Sequence, residues 1–200
     1  MENIGKAPTL ANSVPVIDMA SYLKNGETKG LIKEVRTACE EMAFFYVENH
    51  GISPSIISDA MDASRRFFEQ PLDVRMRVEK DQFHRGYLPL GTTQFPGRGP
   101  DLKDSFDVGV ELPLNDPDVV AELPLHGPNQ WPELENFRKP IATYFSAVHE
   151  FGLRVLEILA LSLRLDPSFF VRHYTKPTIL MRLMHYPPQE SALDKDSIGA

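Results

Sequence analysis

The sequence predicts an α+β fold. Two observations carry that class. Apolar residues recur at three- and four-residue spacing over three stretches, beginning near Lys29, Ser53 and Phe137. Short β-branched, aromatic or alternating runs lie between and after them. A third observation shapes the connections. The chain holds 17 prolines, and prolines sit at element boundaries, so long connections are expected rather than a compact bundle.

Taken in order, residues 1–13 carry no periodicity and are expected to fray. Val14-Pro15-Val16-Ile17-Asp18 reads as a strand. From Lys29, Ile32, Val35, Cys39 and Met42 share one helical face. Phe44 to Val47 switches to strand-like content, and Asn49-His50-Gly51 turns the chain. Ser53-Pro54 opens a helix with a hydroxyl cap and a proline in the first turn. Its predicted buried face is Ile57, Met61, Ser64 and Phe68, and Pro71 follows the stop. Asp73 to Lys80 is charge-rich and fits a further short helix.

Residues 81–132 hold Gly86, Gly91, Gly97 and Gly99 among several prolines, the pattern of a loop system. Long ordered loops of this kind tend to be functional. Within it, Ser105 to Val110 alternates and reads as a strand. The longest helix carries Phe137, Ile141, Tyr144, Val148, Phe151, Val155, Leu159 and Ser162 on one stripe. Pro140 predicts a kink or a second start there, and Asp166-Pro167 closes the segment. Ile179 to Tyr186 alternates, with Leu180, Arg182, Met184 and Tyr186 on one face and Ile179, Met181, Leu183 and His185 on the other. Pro187-Pro188 ends that strand.

Composition excludes several classes. Apolar residues are 42% and charged residues 24%, ordinary for a globular chain. The net charge is −7, which argues against binding nucleic acid or anionic membranes through phosphate neutralisation. Cys39 is the single cysteine, so the chain has no internal disulfide and no multi-thiolate zinc site. Its apolar neighbours predict buried packing rather than a nucleophile. The N-terminus lacks a secretory apolar region, and Val155 to Leu165 is interrupted by Glu157 and Arg164. These features predict a soluble, cytoplasmic protein.

Local catalytic motifs are scarce. The 200 residues contain six histidines, but no His-x-Asp, His-x-Glu or His-Glu-x-x-His. No Gly-x-Ser-x-Gly elbow occurs, and Gly97-Arg98-Gly99 fails the dinucleotide fingerprint because Leu102 stands at the third glycine. Arg182 is the anomaly, a guanidinium in the middle of an apolar strand. Such a group needs a carboxylate or water. It reads equally as a bidentate clamp for an anionic small molecule and as a structural ion pair.

A series of segments then resembles one family. Val14 to Met19, Phe44-Phe45-Tyr46-Val47-Glu48-Asn49-His50-Gly51-Ile52, Phe67-Phe68 with Pro71, Gly86-Tyr87-Leu88-Pro89, Asp101 to Gly109, Gly127 to Pro132 and Met181 to Gln189 occur in order. Together they resemble the N-terminal part of non-haem iron- and 2-oxoglutarate-dependent dioxygenases of the isopenicillin N synthase type. The resemblance implies a helical N-terminal region over 1–132, a long central helix and connector over 133–175, and the first strands of a double-stranded β-helix, or jelly-roll, over 176–200.

The resemblance also implies Fe(II), 2-oxoglutarate as cosubstrate, O2 and a small-molecule substrate. The outcome would be hydroxylation, desaturation, cyclisation or ethylene formation. The His-x-Asp of the iron site is expected immediately beyond Ala200, so the jelly-roll is expected to be incomplete and the chain alone inactive. No catalytic or metal-ligating residue is assigned within it. Tyr186 resembles a position near the 2-oxoglutarate carboxylate, and Arg182 one that faces substrate or cosubstrate in some members. The resemblance sets no oligomeric state. The other reading is a non-catalytic binding domain or a degenerate relative without the iron site.

Overall fold

A computed structural model describes residues 14–92, 96 and 99–188. The expectations for 1–13, for Gly97 and Arg98 and for Gln189 onward lie outside the described residues. The element order is β1 (Val16–Asp18), α1 (Ala20–Asn25), α2 (Leu31–Glu41), β2 (Tyr46–Glu48), α3 (Pro54–Phe68), α4 (Leu72–Arg75), a 3-10 turn (Met76–Val78), β3 (Gly86–Leu88), β4 (Asp104–Gly109), α5 (Pro117–Val120), α6 (Arg138–Ser162), α7 (Ser168–Val171) and β5 (Leu180–His185). Helices and sheets mix as the α+β class requires. Among the described residues no helix is long and apolar enough to cross a membrane.

Two compact units form, each from two stretches of sequence: Met1–Pro54 with Ser146–Thr175, and Ser55–Phe145 with Lys176–Ala200. Sequence-order segments therefore do not coincide with the units, because α6 contributes to both.

In the first unit, β1 and β2 pair in parallel, with Ile17 opposite Val47. Parallel neighbours need a crossover, which α1 and α2 supply. Asp18 Oδ1 accepts the Ala20 N–H at 2.8 Å and an Asn49 side-chain N–H at 2.9 Å, fixing the entry to α1 and the turn after β2. The core joins Ile17, Met19, Leu31, Val35, Ala38 and Ile158.

This corrects the predicted face of α2. Leu31, Val35 and Ala38 are buried, whereas Cys39 is exposed. The small Ala38 occupies the core position that the pattern gave to its neighbour. Tyr22 donates to Glu157 at 2.6 Å; burial first, and then this carboxylate, push its phenol up to about 12.

In the second unit, β3, β4 and β5 form an antiparallel sheet with β4 in the centre. Phe106 lies opposite Tyr87 on one side and Leu183 on the other, while Asp107 lies opposite Gly86 and Arg182. Alternation puts Phe106, Val108, Tyr87, Met181 and Leu183 on one face. That face packs on Ala60, Ala63 and Phe67 of α3 and on Phe137 and Ile141 at the start of α6. Phe67 sits at the centre, with its ring 4.9 Å from Phe106 and 5.2 Å from Phe137.

The predicted face of α3 is corrected in the same way. Phe68 is buried as expected, but Met61 is 61% exposed, and Ala60, Ala63 and Phe67 form the rest of the contact. Alanines let the helix approach the sheet, and a search for large apolar residues passes over them. Pro140 falls in the first turn of α6, where its missing N–H costs no helical bond, so it marks the start and not a kink. Val148, placed on the apolar stripe, is 39% exposed.

The loop system around β4 is ordered by side chains that take up backbone groups. Asn129 receives the Gly109 N–H on Oδ1 at 2.8 Å and donates to the Gly109 carbonyl at 2.9 Å. Trp131 Nε1 donates to Glu111 at 2.9 Å. Arg85, only 1% exposed, donates to the carbonyls of Phe83 and Leu125 at 3.0 and 2.9 Å.

Candidate functional site

The second face of the sheet is the more open one. Leu180, Met184 and Tyr186 are exposed on it. Among them, at the position opposite Arg182, sits a fully buried carboxylate, Asp107. Arg182 Nε donates to Asp107 Oδ1 at 2.6 Å and Nη2 to Oδ2 at 2.8 Å, and Lys80 Nζ donates to the same Oδ2 at 2.8 Å. Burial alone would push the Asp107 carboxyl up. The hydrogen bonds and charges of Arg182 and Lys80 outweigh it and hold the group below its ordinary value. Reciprocally, Asp107 raises the Arg182 guanidinium against the opposing effect of burial.

The sequence left Arg182 between a ligand clamp and an ion pair. The geometry shows the ion pair: the side-on edge of the guanidinium is bound to Asp107. Its end-on edge points away from that carboxylate, and the side chain keeps 39% exposure. Tyr186 lies further along the same face, its hydroxyl 3.9 Å from the Met184 sulfur. Sequence reasoning passed over Asp107 and Lys80. The signal for Asp107 was present, since an Asp between Phe106 and Val108 in a strand is as anomalous as Arg182 itself.

A second buried carboxylate, Asp104, serves the packed side. It accepts from Arg75 and from the Tyr87 hydroxyl at 2.8 Å, and His185 Nδ1 lies 2.8 Å from its other oxygen. The His185 ring stacks on Phe68 with centroids 5.0 Å apart. Burial, and then the bond to Asp104, push the Tyr87 phenol well above its ordinary value. Both Asp104 oxygens and the Tyr87 hydroxyl thereby find partners, the pattern of a structural network.

The described residues do not fit an iron centre. Among them no three His, Cys, Asp or Glu side chains converge on a point, and a facial triad needs two imidazoles and a carboxylate. No chemical step through a metal is derived from them.

Residues 14–134 match the family model of the non-haem dioxygenase N-terminal region, named for morphine synthesis. The chain belongs to this family. It is 35% identical over 185 residues to the 2-oxoglutarate-dependent dioxygenase citB of Monascus ruber, covering 88% of this chain and 56% of that protein. It is 34% identical over 198 residues to the 2-oxoglutarate-Fe(II) type oxidoreductase hxnY of Emericella nidulans, covering 94% and 56%. A solved 2OG-Fe(II) oxygenase family protein of Caulobacter crescentus shares the fold with a TM-score of 0.79 at 24% identity, over 90% of this chain and 58% of that one. The chain thus spans a little over half the length of the relatives it matches.

Proposed function

We propose that the chain supplies the N-terminal part of a non-haem Fe(II)- and 2-oxoglutarate-dependent oxidoreductase acting on a small molecule. The observation that carries this reading is the family match over residues 14–134, joined to a sheet whose second face bears partly exposed cations. The iron ligands are expected from the part of the relatives' length that this chain does not span. There the β3–β4–β5 sheet would continue into a jelly-roll.

In this reading β4 and β5 form one wall of the reaction chamber. Arg182 and Tyr186 face the substrate or cosubstrate, and the packed face keeps that wall rigid. The overall reaction consumes 2-oxoglutarate, O2 and a substrate C–H, and yields succinate, CO2 and the oxidised substrate. Hydroxylation is its simplest outcome; desaturation, cyclisation and ethylene formation belong to the same proposal.

The test compares the 200-residue chain with the product of its natural reading frame read past Ala200. Anaerobic Fe(II) and then 2-oxoglutarate are added, the charge-transfer absorption is recorded, and succinate is measured after oxygen is admitted. The expected result is the absorption band and succinate from the longer product only. A longer product that binds no iron and forms no succinate would overturn the oxidoreductase reading in favour of a binding domain.

A further inference from the structure

We infer that a cavity between the turn before β3 and the loop after α5 is a binding site for a small organic cation with an apolar body. The inference goes beyond the proposed function, because the cavity lies at the far end of the sheet from Tyr186.

Residues 82–84 form one wall and residues 122–125 the other, around a cavity of about 370 Å3. That size suits a small molecule. The buried Arg85 ties the walls together through the carbonyls of Phe83 and Leu125. Gly127 adds a second link, since a Cβ there would meet the Phe83 ring at 2.3 Å. Arg85 also lies against Gly109, the last residue of β4. Gly109 pairs with Leu180, and Asp104 with His185. The cavity and Tyr186 therefore stand at opposite ends of β5, roughly 20 Å apart along the strand.

The walls hold their backbone in an unfavourable conformation. His84, Glu122 and Leu125 have φ angles of 59°, 54° and 63°, in the left-handed region that side chains rarely adopt. Among the described residues seven that are not glycine have such angles, and three of them line this one cavity. Strain of this kind persists only where the surroundings fix it, and it gathers at ligand sites. Asp81 Oδ1 fixes the first wall by accepting the Phe83 and Arg85 N–H groups at 3.0 and 3.1 Å. Arg85 fixes the second through Leu125. A cavity held open in this way needs little further ordering when a ligand enters.

The lining sets the ligand class. Phe83, Leu123 and Leu125 supply apolar surface, and Leu123 is 43% exposed. The lining holds one carboxylate, Glu122, and no Lys or Arg. The charge of Arg85, behind the walls, is met by Asp81, Asp107 and Glu111. Glu122 is left without a cation among the described residues. A complementary ligand brings an ammonium to Glu122 and lays its apolar body over Phe83 and the leucines. Gln82 and His84 line the same cavity and offer further polar atoms.

The test follows the backbone amide NMR signals of the chain during titration with benzylammonium, against benzyl alcohol and benzoate at equal ionic strength. Neither iron nor 2-oxoglutarate enters the titration, so it reads this site alone. The expected result is saturable movement of the His84, Glu122 and Leu125 amides with benzylammonium. Methylammonium, which lacks the ring, should bind about tenfold or more weaker. Glu122→Gln alters an exposed side chain, so it should leave the melting temperature unchanged and weaken the benzylammonium midpoint about three- to fivefold. Equal movement with benzyl alcohol or benzoate, an unchanged midpoint in Glu122→Gln, or no saturable movement at these amides overturns the inference.

Discussion

Asp107 concentrates the chemistry of the chain in one side chain. A carboxylate with no exposure is costly to ionise unless donors replace its water, and three charge-assisted hydrogen bonds do so here. Removing the charge while keeping the shape, as in Asp107→Asn, strands two cations and should cost about 3 kcal/mol at neutral pH. The sign with pH follows from the lowered folded pKa. The contribution is complete above the unfolded carboxyl value, 3.8, and is lost as pH falls from there through the folded value. Urea unfolding of both proteins at pH 7, 5, 4 and 3 should show a gap that is constant to about pH 4 and then narrows. A gap that stays constant down to pH 3 would mean that folding does not lower the Asp107 pKa, and one that shifts in the wild type's favour as pH falls would mean that Asp107 is protonated in the fold.

At the scale of elements, two glycines should respond to alanine in opposite directions. Gly109 ends β4 against the buried Arg85, and a Cβ there would overlap the guanidinium. Because Arg85 is tied to the Phe83 and Leu125 carbonyls, it cannot yield cheaply, and Gly109→Ala should destabilise by about 1–3 kcal/mol. Gly152 lies inside α6 with nothing within 4 Å of the place a methyl would take, so Gly152→Ala should stabilise by about 0.5–1 kcal/mol. Denaturant midpoints for the pair read both signs in one experiment.

The elements also show what a sequence can display. α2, α3, α6, β4 and β5 were legible because their apolar periods are long. The buried stripes of α2 and α3 came out rotated because Ala38, Ala60 and Ala63 make close contacts that hydrophobic size does not signal. α1, β3 and α5 were not legible. Each is short, and partners distant in sequence hold at least β3, as Tyr87 on Phe67 and Asp104 shows. At the site, Arg182 stood out and its partner did not, because pairing across strands depends on register. Asp107 and Arg182 are 75 residues apart.

At the scale of the molecule, the second unit separates two jobs onto two faces of one sheet. Phe106, Val108, Met181 and Leu183 bind the sheet to α3 and α6, while Asp107, Arg182, Met184 and Tyr186 stand on the other side. In the proposed function, ligand arrives on the second face. Two methionines of the same strand report on it: Met184, 54% exposed on that face, and Met181, packed against the aromatic core. The most direct measurement is the methionine-methyl NMR spectrum of the chain labelled with carbon-13, before and after addition of 2-oxoglutarate. The Met184 methyl should move with ligand concentration while the Met181 methyl stays in place. A shift at Met181 with Met184 unmoved, or no shift at either, would contradict it.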